Sequence, residues 1–436
     1  MIFYTDQNSD RLQYIANFIS QYMYGKDARI TNNPIEFAAS DLPKINYSIA
    51  AINDRGLHIQ PFGLLFETEI KPIEITCTIQ NGITCFFQNK SDLGFDILSA
   101  IFYSISRYEE YLSTDYDKYG RFNFENSLAY KNQFLQLPLV DIWLKEMAHK
   151  MTEYFPNHPI KKHSFIFQPT YDIDMARSYE SKKWDRKLGG MAKDILKGNF
   201  KKLIERLLVL SKLKNDPFNS FEWLNQLHHQ YQLNPIYFFL VAVRNSALDK
   251  NLDPLSNTMQ DVMKQHAPKY SIGIHPSWHS HNSIQYLSAE IETLRSTTKQ
   301  YILRSRQHFL KMTLPQTYQN LISMGIAEDY TMGYAGAHGF RASTSIPFYW
   351  FDLSTNKSTK LKIFPFCFME ASAIYYLNET PANTYKQLLN LYSTVQNVDG
   401  YFSMIWHNHT LGTSSEFLAW RKIYERFIIY ASSHSS

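Results

Sequence analysis

The chain has 436 residues, 44 Lys+Arg against 40 Asp+Glu for a net charge of +4, 44% hydrophobic residues and 19% charged ones. That length is a prior for about two to three domains, and the composition excludes a disordered, collagenous or low-complexity chain. So small a positive excess over so many residues argues against a nucleic-acid partner, and no run approaches the ~18 apolar residues that span a bilayer.

Met1 to Asp10 shows no basic start followed by an apolar run, so no secretory signal is expected. Cys77, Cys85 and Cys367 are few and odd in number, which fits a reducing compartment. The expectation is a cytoplasmic protein, with the inner face of a membrane as a further place of work. Residues 1–155 read as a smaller α/β domain. Leu12, Ile15, Ile19 and Met23 recur at helical spacing. Residues 73–79 alternate like a half-buried strand, and Asn81-Gly82 then predicts a hairpin with 83–87. Residues 95–112 carry a broad helical stripe. No chemical constellation is visible in this part.

Residues 156–163 read as a linker. Over 164–436, short apolar strands at 164–169, 235–242, 270–274, 361–366 and 402–406 alternate with helices at 220–232, 256–267, 284–300, 314–324, 381–395 and 415–430. That alternation predicts a parallel sheet, and the number of units suggests a (β/α)-barrel. Residues 182–214 break the rhythm with eleven Lys/Arg against three acids. They read as a basic helical insertion, either resting on an anionic membrane or packed on its own protein with a solvated basic face.

Three groups of chemistry-bearing residues fall at or near expected strand ends. In Asp172-Ile-Asp174 the two carboxylates are two apart and share one side of an extended chain. Such a pair needs a cation nearby, unless it is simply solvated. In His275-Pro-Ser-Trp-His279 the imidazoles are four apart, so one helical turn would put both on one face, a spacing that suits a transition metal. His407 and His409 close the last strand, and His409 reads as a core or solvated residue. Gly339-Phe-Arg341 puts a cation in a loop near strand ends, for a substrate group, the catalytic Asp or a surface salt bridge.

In this order these residues resemble the polysaccharide deacetylases of carbohydrate esterase family 4, the NodB-homology enzymes. The resemblance implies an incomplete (β/α)-barrel holding a divalent metal. It covers roughly 164–430, and residues 1–155 resemble an uncharacterised extension found on some bacterial members. Thr170-Tyr-Asp-Ile-Asp174 is similar to the Asp-x-Asp branch of the first motif, which implies Asp172 as general base and Asp174 as metal ligand. His275 and His279 match the second motif as ligands, with Pro276 where Ser/Thr is usual. Arg306-Gln-His308-Phe309 resembles the third motif with His308 in place of Pro, and implies Arg306 as partner of the catalytic Asp. The fourth motif is matched only by Asp329 to Gly333, without its Trp. Ile405-Trp406-His407 resembles the fifth and implies His407 as general acid.

The implied activity is hydrolysis of N-acetyl groups from an amino sugar in a polysaccharide or its precursor. The implied cofactor is Zn²⁺, or Co²⁺, Ni²⁺ or Mn²⁺. Trp278, Tyr330, Arg341 and Trp406 are candidates to hold the sugar, with core packing the alternative for each aromatic ring. Two other readings stay open: a C–N hydrolase acting on a small cyclic amide, and a non-catalytic sugar-binding barrel.

Overall fold

Residues 1–52, 56–180, 195–196, 198–244 and 246–434 are described in a computed structural model of the chain. Helix Asp10–Tyr24 starts where Ser9 accepts the Leu12 N–H, and it ends at Gly25, whose φ of 69° suits glycine. It buries the expected stripe of Leu12, Ile15, Ile19 and Met23. The helix lies with a four-stranded parallel sheet made of β1 (Ile2–Tyr4), β2 (Arg29–Thr31), β3 (Lys44–Tyr47) and β4 (Leu57–Ile59), in the order β2-β1-β3-β4. These strands have three or four residues each, too short for alternation to reveal. The hairpin forms from β5 (Thr78–Gln80) and β6 (Ile83–Cys85). Asn81 and Gly82 both take positive φ, as a two-residue turn requires. Helix Ile97–Ile105 is buried on every side.

The segment expected as a linker holds neither helix nor strand. It is tied to the first helix: Lys161 N–H donates to the Met23 carbonyl, and the His163 ring stacks on Tyr22 at 4.2 Å. Then nine strands form one sheet. They are β7 (Ile166–Ile173), β8 (Ile236–Phe239), β9 (Ser271–Ile274), β10 (Arg304–Ser305), β11 (Glu328–Asp329), β12 (Phe348–Asp352), β13 (Lys357–Ile363), β14 (Phe368–Met369) and β15 (Tyr401–His407). The order is β12-β13-β11-β10-β9-β8-β7-β15-β14, parallel except for the β12–β13 pair. The two edge strands do not pair with each other among the described residues, so the strands form an open row rather than a closed barrel. The expected helices are all present, as Phe221–Gln230, Asn257–His266, Ile284–Thr298, Gln316–Ser323, Pro381–Gln396 and Leu418–Ser433. Of the expected basic insertion, residues 182–194 and 197 lie outside the described residues, and the rest contains helix Phe200–Leu210.

Both sheets draw on one apolar core. Phe351 of β12 packs against Tyr14 and Phe102 of the N-terminal part, with ring centroids 5.1 and 5.2 Å apart. Polar bonds cross the same boundary. Asp141 accepts from Thr344 and Ser345, and Arg11 donates to Asn356 at 2.8 Å.

Candidate active site

Parallel strands place their carboxyl ends together, and ligands in such sheets sit in the crevice outside those ends. Here β7 delivers Asp172 and Asp174, β9 leads into His275, β10 into Arg306 and His308, β14 into Glu370, and β15 ends at His407. Register fixes the spacing, because Asp172 pairs directly with His407 across β7 and β15. Asp172, near the end of β7, and Asp174, just beyond it, both face His275 Nε2, at 3.7 and 3.2 Å.

The centre of the cluster is the Asp174 carboxylate. Three imidazoles present Nε2 to it, His275 at 3.2 Å, His308 at 3.5 Å and His407 at 3.6 Å. The other nitrogen of each ring is already engaged. His275 Nδ1 lies 2.6 Å from the Arg306 carbonyl, His308 Nδ1 2.9 Å from Asp249, and His407 Nδ1 2.8 Å from Glu370. Carbonyl and carboxylate oxygens only accept, so each Nδ1 donates and each Nε2 is left facing Asp174. Asp174 Oδ1 is buried without a hydrogen-bond partner, although His275 Nε2 is beside it. Lone pairs converging on a buried carboxylate call for a cation between them, either a proton or a metal ion. Asp174, His275 and His308 can each turn a ligand atom inward with all three atoms within 4.8 Å of one another. One carboxylate and two neutral imidazoles are a donor set for zinc or a neighbouring divalent metal.

The charges respond accordingly. Burial, the largest single influence, would raise Asp174, but the His308 and His407 charges and the hydrogen bonds from His275 and His308 together outweigh it and hold the carboxyl well below the usual range. Burial alone would lower the rings, but Asp174 and Asp249 raise His308 to about 9, and Glu370 and Asp174 raise His407 to about 10. Asp172 is buried and accepts from Arg306 Nη1 at 2.7 Å. Arg306 is itself fixed by the Tyr330 carbonyl at 3.0 Å and by the face of Phe238.

His279 does not join this group. Its pairing with His275 assumed a helical turn, and residues 275–279 form none. Carboxylates capture the backbone instead: Ser277 N–H donates to Glu290 and Trp278 N–H to Asp249. The His279 ring therefore leans toward Tyr286, and His308 stands where the spacing had placed His279. Three of the candidate sugar-binding side chains are also committed elsewhere. Tyr330 is buried, stacked on Phe364 and bonded to Glu328. Trp406 turns to the other face of β15 from His407 and packs on Tyr424. Arg341 is buried in a two-pronged ion pair with Glu110, which also takes Arg107. Trp278 keeps a partly exposed face beside Tyr119 and Phe309, with Lys311 Nζ 3.5 Å over its ring. Asp329, the remnant of the fourth motif, accepts from Ser305 and Thr331 inside the sheet.

Sequence reasoning missed His308, Asp249, Glu370 and Arg121. His308 had a visible signal, since it was the residue out of place in the third motif. Arg121 comes from the N-terminal part. It is ion-paired with Asp117 and donates to the Phe309 carbonyl at 2.8 Å, next to His308. A cavity of about 890 Å³ lies elsewhere, lined by Ile166 and Tyr401 at the opposite ends of β7 and β15. It holds none of the cluster.

Residues 1–156 match a family described as one of unknown function, DUF7033. No curated protein matches the chain. Among solved structures, one assigned as a polysaccharide deacetylase from Mycobacterium smegmatis is similar with a TM-score of 0.40 and 14% identity, over 62% of this chain and 85% of that one. A mutant of a CE4 family pseudoenzyme with restored enzymatic activity is similar with a TM-score of 0.31 and 8% identity, over 62% of this chain and 64% of that one.

Proposed function

We propose that the protein is a metal-dependent hydrolase that removes N-acetyl groups from an amino sugar of a polysaccharide or its precursor. The observation that carries this reading is the convergence of three Nε2 atoms on the buried Asp174, each ring fixed through Nδ1. Asp174, His275 and His308 would hold the metal, with Zn²⁺ the expected ion and Co²⁺, Ni²⁺ or Mn²⁺ as substitutes. When bound it supplies Lewis acidity, polarising the acyl carbonyl and acidifying water.

The chain's own groups do the rest. Asp172, held through Oδ1 by Arg306, accepts the proton of the attacking water at Oδ2, the oxygen that faces His275. His407 lies across the register from Asp172 and donates to the departing amine. Glu370 keeps that ring protonated and aimed, accepting from its backbone N–H and from Nδ1, both at 2.8 Å. Trp278 offers the sugar a partly exposed aromatic face.

The test is elemental analysis of purified protein, wild type against His275→Ala, His308→Ala and His279→Ala. About one equivalent of zinc or a similar metal is expected in wild type and in His279→Ala, and a loss in the other two. Absence of metal from wild type even after incubation with zinc would overturn the reading. Metal-loaded protein that hydrolyses cyclic amides but no N-acetylated sugar would move the substrate to the small amides.

A further inference from the structure

Helix Phe200–Leu210 is inside out. Its positions 200, 204, 207 and 208 share one face, and on that face Phe200 is 62% exposed, Ile204 56% and Leu207 49%. Glu205 and Arg206 turn the other way. Glu205 meets Lys214 and the Tyr179 hydroxyl, and the Arg206 guanidinium lies 4.6 Å over the Tyr179 ring. Val209 is buried on that protein side. Beyond the helix, Leu213 is also exposed. A solvent-facing apolar stripe of this kind marks an interaction surface.

The charge around it names the partner. Lysines stand at 202, 212 and 214 of the described chain, and the sequence from 182 to 214 carries eleven Lys/Arg against three acids. Two copies of so basic a segment would repel each other, whereas an anionic lipid surface attracts it. No helix among the described residues is long and apolar enough to cross a membrane, so the segment would lie on the surface and not span it.

We propose that helix Phe200–Leu210 docks the protein on an anionic lipid bilayer, with Phe200, Ile204, Leu207 and Leu208 among the acyl chains and the lysines on headgroup phosphates. The helix belongs to the excursion that leaves β7 directly after Asp174. The base of that excursion is stapled to the site. Asp216 accepts the N–H groups of Ser178, Tyr179 and Glu180, and Asn408, next to His407, donates to the Met175 and Phe218 carbonyls. The docking face and the Asp174 cluster thus rise from the same end of the sheet. On the hydrolase reading above, which this consequence rests on, the substrate is an N-acetylated amino sugar carried on a membrane lipid.

The test is co-sedimentation of the full chain with phosphatidylcholine vesicles, either pure or with roughly one-third phosphatidylglycerol. Ile204→Glu/Leu207→Glu serves as the variant; both sites are exposed, and circular dichroism checks that it folds. Wild type is expected to pellet with the anionic vesicles and to detach as salt rises from about 0.1 M to about 0.5 M. The double variant is expected to lose about tenfold or more in partitioning. Wild type left in the supernatant with anionic vesicles, or a variant that pellets equally well, would overturn the proposal. So would a wild-type dimer without vesicle binding that the variant dissolves, since a second copy would then be the occupant. Metal content, measured on the same samples, separates the two ideas. Vesicle binding without metal sinks the hydrolase alone, and metal without vesicle binding sinks the docking alone.

Discussion

Three imidazoles in one cluster each give Nδ1 to an acceptor, and that decides which nitrogen is left for chemistry. Asp249 and Glu370 act here as positioning residues, because an imidazole whose rotation is fixed loses less freedom on binding a cation or donating a proton. Glu370→Gln keeps one acceptor but loses the charge that His407 and Thr410 share. It should lower turnover by about 10- to 100-fold with metal content unchanged; equal turnover in a steady-state assay on N-acetylated sugar would remove Glu370 from the mechanism. Asp172→Asn should likewise retain metal, with turnover reduced by about 10²–10⁴-fold. Normal hydrolysis by that variant would reassign the base. At this scale the sequence was partly legible. Asp172, Asp174, His275, Arg306 and His407 were readable because strand-end positions and motif order place them. His279 and His308 were not separable, since the choice between them depends on two backbone amides, of Ser277 and Trp278, that find carboxylates from residues 290 and 249.

The turn after β10 is the element on which the site most depends. Phe309 and Leu310 both take φ near +55°, at 58° and 53°, a region where non-glycine residues are held at a cost of about 1–3 kcal/mol each. Such a turn persists only when its surroundings over-determine it. Arg121 contributes that constraint, with the Phe309 carbonyl at 2.8 Å, the Tyr376 hydroxyl at 3.2 Å and Asp117 behind it. Arg121→Met should therefore weaken metal affinity by about tenfold, read by competition with a chelating dye. Unchanged affinity would show that the turn holds itself. Amphipathic helices such as Asn257–His266 and Pro381–Gln396 were legible, because periodicity and caps agree over their whole length. Strands β10, β11 and β14 were not, because two residues carry no period. Two of them, β10 and β14, are the strands that launch Arg306, His308 and Glu370.

Across the whole molecule, the N-terminal part and the larger sheet are joined by buried polar contacts as well as by apolar ones. Asp141 sits in this junction, and burial raises it to about 6 against the hydrogen bonds from Ser345 and Thr344. Its folded-state value exceeds the ordinary 3.8, so the folded protein binds the proton more tightly than the unfolded chain does. Its contribution is full below about pH 4 and is lost as pH rises through about 6. The stability of wild type relative to Asp141→Asn should fall by about 2–3 kcal/mol between pH 4 and pH 7, measured by urea unfolding at each pH. A difference independent of pH would mean that Asp141 is ionised throughout. The partner in this junction was not legible in the sequence, where Arg341 could be read toward a substrate group, the catalytic Asp or a surface salt bridge. Only the fold shows it paired with Glu110 across 231 positions.

Because Tyr14, Phe102 and Phe351 fill one space, neither half is a transferable module. A recombination joint between Pro156 and His163 would produce two sticky fragments, each baring rings that the other had covered. Exchanging the leading 156 residues for an unrelated leader would leave Phe351 without the Tyr14 and Phe102 rings that cover it.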